Sequence, residues 1–217
     1  MLPIIITTIE MSINMPSIIP FPKKFLVPSL LALSSMIMPS AFADTYEGNR
    51  DADNRFHGKG VYTYSGGGVY EGTWDHGERI GSGKHTWIDG TVYDGEWENN
   101  LPKGNGVKTY SDGSQYIGEF QQGERSKIGT MKWNNGDIYK GQWTNDQPNG
   151  DGQMQFASGA SYIGQFVLGQ QSGEGVYTYA DTSRYHGTWE DNKPHICGSS
   201  CPSIASVALE IKFSTTC

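Results

Sequence analysis

The chain has 217 residues, a formal net charge of −7 and 29 glycines, all of them beyond residue 43. The acidic balance disfavours nucleic acid and anionic membrane surfaces as partners, since both are bound through clustered positive charge.

In chain order, Lys23 and Lys24 precede the apolar run Phe25 to Met38, and Ala41-Phe42-Ala43 stands before Asp44. A basic start, an apolar stretch and an A-x-A site in that order predict a secretory signal peptide over residues 1–43, cut between Ala43 and Asp44. The run contains Pro28 and is shorter than the ~20 residues that span a bilayer. Met15 is a second candidate start. Cleavage would release an exported chain, periplasmic or secreted, whose net charge is −8 because Glu10, Lys23 and Lys24 leave with the signal.

From Tyr46 onward the sequence repeats. Tyr70, Tyr93, Tyr116, Tyr139, Tyr162 and Tyr185 follow at steps of 23, and an earlier copy begins at Tyr46, one residue out of step. Two residues after each in-step Tyr stands Gly72, Gly95, Gly118, Gly141, Gly164 or Gly187. Four after it stands Trp74, Trp97, Phe120, Trp143, Phe166 or Trp189. Period two places all three on one face of a strand, so two rings flank a bare glycine and a side chain there would push them apart.

The second half of each unit carries Gly-x-Gly and an aromatic four residues on, as in Gly81, Gly83, Trp87 and Gly104, Gly106, Tyr110. It reads as a second strand, with Thr63, Thr86, Thr109 and Thr178 on the opposite, wetter face. Asp89-Gly90, Asp112-Gly113, Asn135-Gly136 and Ser158-Gly159 come next, and such pairs predict two-residue hairpin turns with positive φ at both positions. The other connection, DHGERI or ENNLPK, reads as a polar surface loop of about six residues, with Pro102, Pro148 and Pro194 at one offset. The expected fold is all-β: an elongated single sheet of tandem antiparallel hairpins, about seven units over residues 44–198. A 23-residue unit cannot bury a core alone and must stack on its neighbours.

The pattern Y-x-G-x-W-x-x-G-x-x-x-G-x-G, at this step from Tyr46 to about Gly198, resembles the MORN repeat (membrane occupation and recognition nexus). The resemblance implies a twisted, rod-like sheet of hairpins used for protein contacts and scaffolding, and in some relatives for phospholipid association. It implies no kinase activity, although some lipid kinases carry the repeat beside a catalytic domain. Three positions depart from the pattern: Arg50 replaces the second aromatic of the first copy, Lys127 the first glycine of one Gly-x-Gly, and Ile196 that glycine of the last copy. Lys127 suggests a local bulge.

No catalytic, cofactor-binding or metal-binding residue is predicted. His57, His76, His85, His186 and His195 fall at five different repeat offsets and read as surface residues. Gly-x-Gly is followed by strand and not by helix, which excludes a phosphate loop. In the tail, residues 199–217, Val207, Leu209, Ile211 and Phe213 alternate with more polar neighbours and suggest a strand that caps the open sheet edge. Cys197 and Cys201 are a candidate local disulfide in an oxidising compartment, with Cys217 left over. Metal binding by His195, Cys197 and Cys201 lacks a fourth ligand.

The sequence therefore predicts a non-catalytic exported module that binds a protein partner or acts as a scaffold. The alternative is glycan, cell-wall or phospholipid binding through the aromatic face or the loop row. It requires exposed rings, whereas burial of large aromatics is the main stabiliser of so small a repeat. Lys103, Arg125 and Lys127 are the residues that could gather into a basic patch for lipid.

Overall fold

The computed structural model describes residues 43–195. The signal peptide, the Cys197–Cys201 pair and the capping tail lie outside them. The described residues form one open sheet of 14 strands, each antiparallel to its neighbours in chain order. These are β1 (Thr45–Arg50), β2 (Phe56–Thr63), β3 (Gly68–Asp75), β4 (Glu78–Trp87) and β5 (Val92–Glu98). Next come β6 (Leu101–Thr109), β7 (Gln115–Gln121), β8 (Glu124–Lys132), β9 (Ile138–Thr144) and β10 (Gln147–Gln155). The last four are β11 (Ser161–Val167), β12 (Gln170–Thr178), β13 (Arg184–Glu190) and β14 (Lys193–Pro194). Each repeat contributes one Tyr-x-Gly-x-aromatic strand and one Gly-x-Gly strand.

The two connections have exchanged the geometries that the sequence suggests. The polar stretches are tight two-residue turns, and only two residues separate β5 from β6: Asn99 (φ 49°) and Asn100 (φ 68°). The same positive pair recurs at His76-Gly77, Gln122-Gly123, Asn145-Asp146, Leu168-Gly169 and Asp191-Asn192. Most of DHGERI and ENNLPK is therefore strand. Asp89-Gly90, in contrast, belongs to a three-residue loop in which only Gly90 has positive φ. Its N–H donates to the Trp87 carbonyl at 3.0 Å, and Trp87 N–H donates to Thr91. That is a type I turn closed by a residue in the left-handed region. Asp89 accepts the Thr91 N–H at 2.9 Å, which explains an Asp here by a local side-chain turn.

A row of glycines crosses the sheet. Gly72 faces Gly83, Gly83 faces Gly95, Gly95 faces Gly106, and the pairing continues through Gly118, Gly129, Gly141, Gly152, Gly164 and Gly175 to Gly187. The Tyr that opens each repeat lies over two of them; Tyr93 covers Gly95 and Gly106. The aromatic four residues on does not flank the glycine, as its spacing suggests, since a Cβ there would meet the Tyr ring and backbone and not the second ring. It stands edge-on to the Tyr, 5.2 Å away for Tyr93 and Trp97, and Phe120 of the next repeat takes the other side at 4.9 Å. Tyr70, Tyr93, Tyr116, Tyr139 and Tyr162 are thus wholly buried, at 0% exposure. Each ring pair of this kind is worth about 0.5–1.5 kcal/mol beyond its buried area. The buried hydroxyls are satisfied: Tyr93, Tyr116 and Tyr139 donate to the carbonyls of Glu96, Glu119 and Gln142 at 2.9, 3.0 and 2.8 Å. In the irregular first repeat the Arg50 guanidinium takes the missing ring's place, 5.3 Å from the Tyr46 ring and 4.8 Å from Phe56.

The register slips once per repeat where the first glycine of Gly-x-Gly forms a bulge, as between Gly95 and Trp97 against Gly106 and Pro102. That glycine has positive φ, 56° at Gly81 and 66° at Gly104. Lys127 holds the same conformation, φ 50°, so its bulge is the ordinary one made with an unfavourable residue. The neighbouring side chain adjusts. Glu96 and Gln142 reach across to accept the N–H of Asn105 and Asp151, both at 2.9 Å, whereas Glu119 pairs with the Lys127 ammonium at 2.7 Å. Lys127→Gly is expected to raise stability by about 0.5–1 kcal/mol, because only glycine adopts this region without steric cost. A melting temperature at or below wild type would contradict the assignment.

Candidate functional site

The two faces of the sheet differ. Tyr, Trp and Phe of the spine fill the inner face, and a second row of half-buried rings, Tyr64, Trp87, Tyr110, Trp133 and Phe156, packs against them. Rings of the spine are therefore structural and are not offered to a sugar or a lipid. The side chains between Tyr and Gly point to the outer face, where they also run in cross-strand register: Glu71, Lys84, Asp94, Val107, Ile117, Thr130. Ile117 is 51% exposed and Ile128, on the adjacent strand, 42%. Charged residues at Glu71 to Asp94 give way to Val107 and Ile117, so this face changes character from one repeat to the next.

A second pattern has a period of two repeats. At the ninth residue after the repeat Tyr stand, in turn, Arg79, Pro102, Arg125, Pro148, Gln171 and Pro194. The carbonyl of each of the first five accepts an N–H from the tight turn one repeat on, for instance Asn100 to Arg79 at 3.2 Å and Gly123 to Pro102 at 2.9 Å. Arg79, Arg125 and Gln171 also have an N–H to satisfy, and the turn residue opposite is Asn100, Asp146 or Asn192, whose Oδ1 accepts it at 2.9, 2.9 and 2.8 Å. Proline has no N–H, and opposite Pro102 and Pro148 the turn residue is glycine. The prolines that mark an offset in the sequence are half of this pairing code.

Arg79 and Arg125 also lay their guanidinium groups on the spine, 4.5 Å from the Trp97 ring and 4.4 Å from Trp143. Beyond them Arg79 reaches His85 Nδ1 at 3.0 Å, and Arg125 reaches the equivalent Met131 sulfur at 3.9 Å. His85 is not a surface residue, then: it is 7% exposed and stacked between Tyr64 and Trp87. Burial, with the Arg79 charge beside it, lowers its pKa to about 4. Because that value lies below the ordinary 6.5, neutral His85 favours the folded state above pH 6.5, and the contribution is lost as pH falls from 6.5 towards 4. His85→Met is expected to fold with unchanged stability at pH 7, as Met131 does in its repeat, and to lose less stability than wild type between pH 6.5 and 4. Equal acid sensitivity of the two proteins would refute this.

The remaining histidines lie outside the buried ring row. His57 and His76 both turn Nδ1 to Asp75, at 3.3 and 2.8 Å, at the solvent-exposed end of β3. His186 is half-buried and His195 exposed. Among the described residues no group of three His, Cys, Asp or Glu side chains is arranged to hold a metal. Lys103, Arg125 and Lys127 do not form a free basic patch, because each is paired with its own acid, Glu98, Asp146 and Glu119.

A single antiparallel sheet of tandem hairpins, with a ring spine over a glycine row, defines a β-repeat protein whose surface is its outer face and its turns. The MORN repeat model matches residues 52–69, 70–92, 93–115, 116–138, 139–161, 162–184 and 185–195, and the chain belongs to the MORN repeat family, a non-catalytic repeat module. No curated protein matches the sequence. Among solved structures the chain is similar to the TCP domain of SAS-4 from Drosophila melanogaster, in complex with a proline-rich motif of Ana2. The identity is 12%, over 77% of this chain and 86% of that one, with a TM-score of 0.41. It is also similar to the TCP10 domain of CPAP from Danio rerio, in complex with a peptide of STIL. There the identity is 12%, over 67% and 84% of the two chains, with a TM-score of 0.28. Likenesses at this level carry no conclusion about partners.

Proposed function

We propose that the chain is an exported, non-catalytic repeat protein that binds a macromolecular protein partner through the outer face of its sheet. The observation that carries this reading is the division of labour between faces. The spine positions hold Tyr, Gly and Trp or Phe in every regular repeat, while the outer row runs from charged Glu71, Lys84 and Asp94 to apolar Val107 and Ile117. A surface that varies along a rigid support suits recognition of one extended partner surface, and the Val107, Ile117 and Ile128 cluster supplies the apolar centre that such interfaces have. The export part rests on Lys23, Lys24, the apolar run and Ala41-Phe42-Ala43. Amino-terminal sequencing of chain from the envelope or medium is expected to begin at Asp44; retention of residues 25–38 would overturn it.

The binding reading is tested by affinity capture with crosslinking in the native compartment. Wild type is expected to retain a defined protein that Ile117→Lys loses at an unchanged melting temperature. Phosphatidylglycerol vesicles at ~0.15 M salt, where exposed charges are largely screened, are expected to leave the chain in the supernatant. Saturable sedimentation abolished by changing Lys103, Arg125 and Lys127 to Glu would replace protein binding with lipid recognition.

A further inference from the structure

On the outer face, where β7 to β10 turn, lies a cleft of about 710 Å³ bordered by five carboxamides: Gln121, Gln122, Gln142, Asn145 and Asn149. Earlier repeats carry charges at these offsets. Asp75 and Glu98 hold the offset of Gln121, and Glu96 holds that of Gln142. Covering an amide costs far less than covering a charge, so a ligand dehydrates this stretch of the face more readily than the charged one.

The same cleft is where the repeat departs from its own pattern. Lys127 replaces the bulge glycine at φ 50°, and a side chain held in that region is strain that the surroundings maintain. Ser126, next to it, faces Glu119 in the register. The Glu119 carboxylate, however, is taken by the Lys127 ammonium, and Ser126 Oγ is the one buried side-chain polar atom among the described residues that no hydrogen bond satisfies. An orphaned polar atom of this kind calls for a functional account. Both Ser126 and Lys127 border the cleft.

We infer that this cleft binds an extended peptide segment through its main chain, which rests on the outer-face reading above and names the part of the partner that is recognised. A covered peptide group needs both its N–H and its C=O satisfied, and a carboxamide presents donors and an acceptor on one side chain. The carboxamides of Gln121, Gln122 and Asn145 carry no hydrogen bond among the described residues. Gln142 and Asn149 use their oxygens, which accept the Asp151 N–H at 2.9 Å and the Leu168 N–H at 3.3 Å. Their amide donors are left for the carbonyls of a ligand. Ile128 borders the cleft on the strand beside Ile117, and at 42% exposure it takes an apolar side chain of the segment. A sugar fits less well, because the cleft offers it no open ring. Trp143 borders the cleft but is 3% exposed, and its indole N–H donates to the Gly129 carbonyl at 3.2 Å.

The probe is a displayed library of random dodecapeptides selected on the intact chain. Selected peptides, synthesised singly, are expected to bind Gln121→Glu/Gln142→Glu about tenfold more weakly, the worth of one or two net hydrogen bonds. The double variant keeps the fold, because Glu98 and Glu96 occupy the same offsets and Glu96 makes the same bond across its bulge. Lys127→Gly is expected to lose a similar factor while its melting temperature rises. The Glu119 carboxylate can then fold over the bulge as Glu96 does over Gly104, which fills this end of the cleft. N-methylation of the central peptide groups, with the side chains kept, is expected to weaken binding equally. Peptides that bind both variants as tightly as wild type, or that tolerate N-methylation, would overturn the proposal, as would a selection that enriches none. Cello- or chito-oligosaccharides bound by the wild type and lost by the double variant, with no peptide enriched, would assign the cleft to a sugar instead. The outer-face reading fails separately. A captured partner indifferent to Ile117→Lys overturns that reading while peptides that need Gln121 and Gln142 uphold the cleft; a partner lost by Ile117→Lys upholds it while peptides indifferent to the double variant overturn the cleft.

Discussion

Gly118→Ala is expected to destabilise the fold by about 3 kcal/mol or more, at the upper end of what overpacking costs. A Cβ on Gly118 would stand 2.6 Å from the Tyr116 hydroxyl, 2.5 Å from the Gly129 Cα and 2.7 Å from the Ile128 carbonyl oxygen. Two of those three are backbone of the paired strand and cannot turn aside. The Tyr ring is held by Phe120 and Trp143, at 5.1 and 5.2 Å, so movement at one glycine disturbs two repeats. Gly66→Ala is the matched control, since a Cβ there meets nothing within 4 Å; its effect is expected to stay within about 0.5 kcal/mol. Glu119→Val removes only an exposed ion pair with Lys127, worth about 1 kcal/mol at most. Thermal unfolding of the three variants separates these outcomes. Equal shifts for Gly118→Ala and Gly66→Ala would refute the packing of Tyr over glycine.

Alkaline unfolding is the second large effect. Burial raises the pKa of Tyr70 and of Tyr162 to about 12, and it raises Tyr93, Tyr116 and Tyr139 further. A folded pKa above the unfolded value of 10 means that the contribution is complete below pH 10 and is lost as pH rises towards 12. Near pH 11 each such Tyr costs about 1.4 kcal/mol, and five of them approach the roughly 5–15 kcal/mol that holds a whole domain together. The sheet is therefore expected to unfold cooperatively between pH 10 and 12, with tyrosinate absorbance and loss of near-ultraviolet circular dichroism rising together. Gradual tyrosinate formation near pH 10 with the fold intact would mean that the spine is open to water.

Sequence periodicity was enough to read the all-β class, the hairpin repeat and the Tyr-Gly-aromatic strand, because spacing two on a strand leaves little freedom about facing. The glycine row was only half legible. Gly83 and Gly72 lie 11 residues apart, and their pairing depends on a register that the bulge at Gly81 shifts by a step. Turn geometry was misread for a similar reason. Asp89-Gly90 has the composition of a tight turn, but its Asp serves as a local acceptor for Thr91, whereas Asn99-Asn100 and Asn145-Asp146 reach positive φ without a glycine. His85 read as a surface residue because no other histidine shares its repeat offset; the stacking of Tyr64 and Trp87 around it is visible only in three dimensions. The Arg-Asn and Pro-Gly alternation was present in the sequence at 46-residue spacing, and comparing single repeats concealed it.

Site-specific photo-crosslinking in the native compartment tests the central claim most directly, that the inner face builds the fold and the outer face meets the partner. A photoreactive residue is placed in turn at Val107 and Ile117 on the outer face and at Tyr110 and Phe156 in the inner ring row. Discrete adducts of one protein from the two outer positions, and none from the two inner ones, are the predicted result. Adducts from Tyr110 or Phe156 in the absence of any from Val107 and Ile117 would contradict it and transfer recognition to the inner ring row.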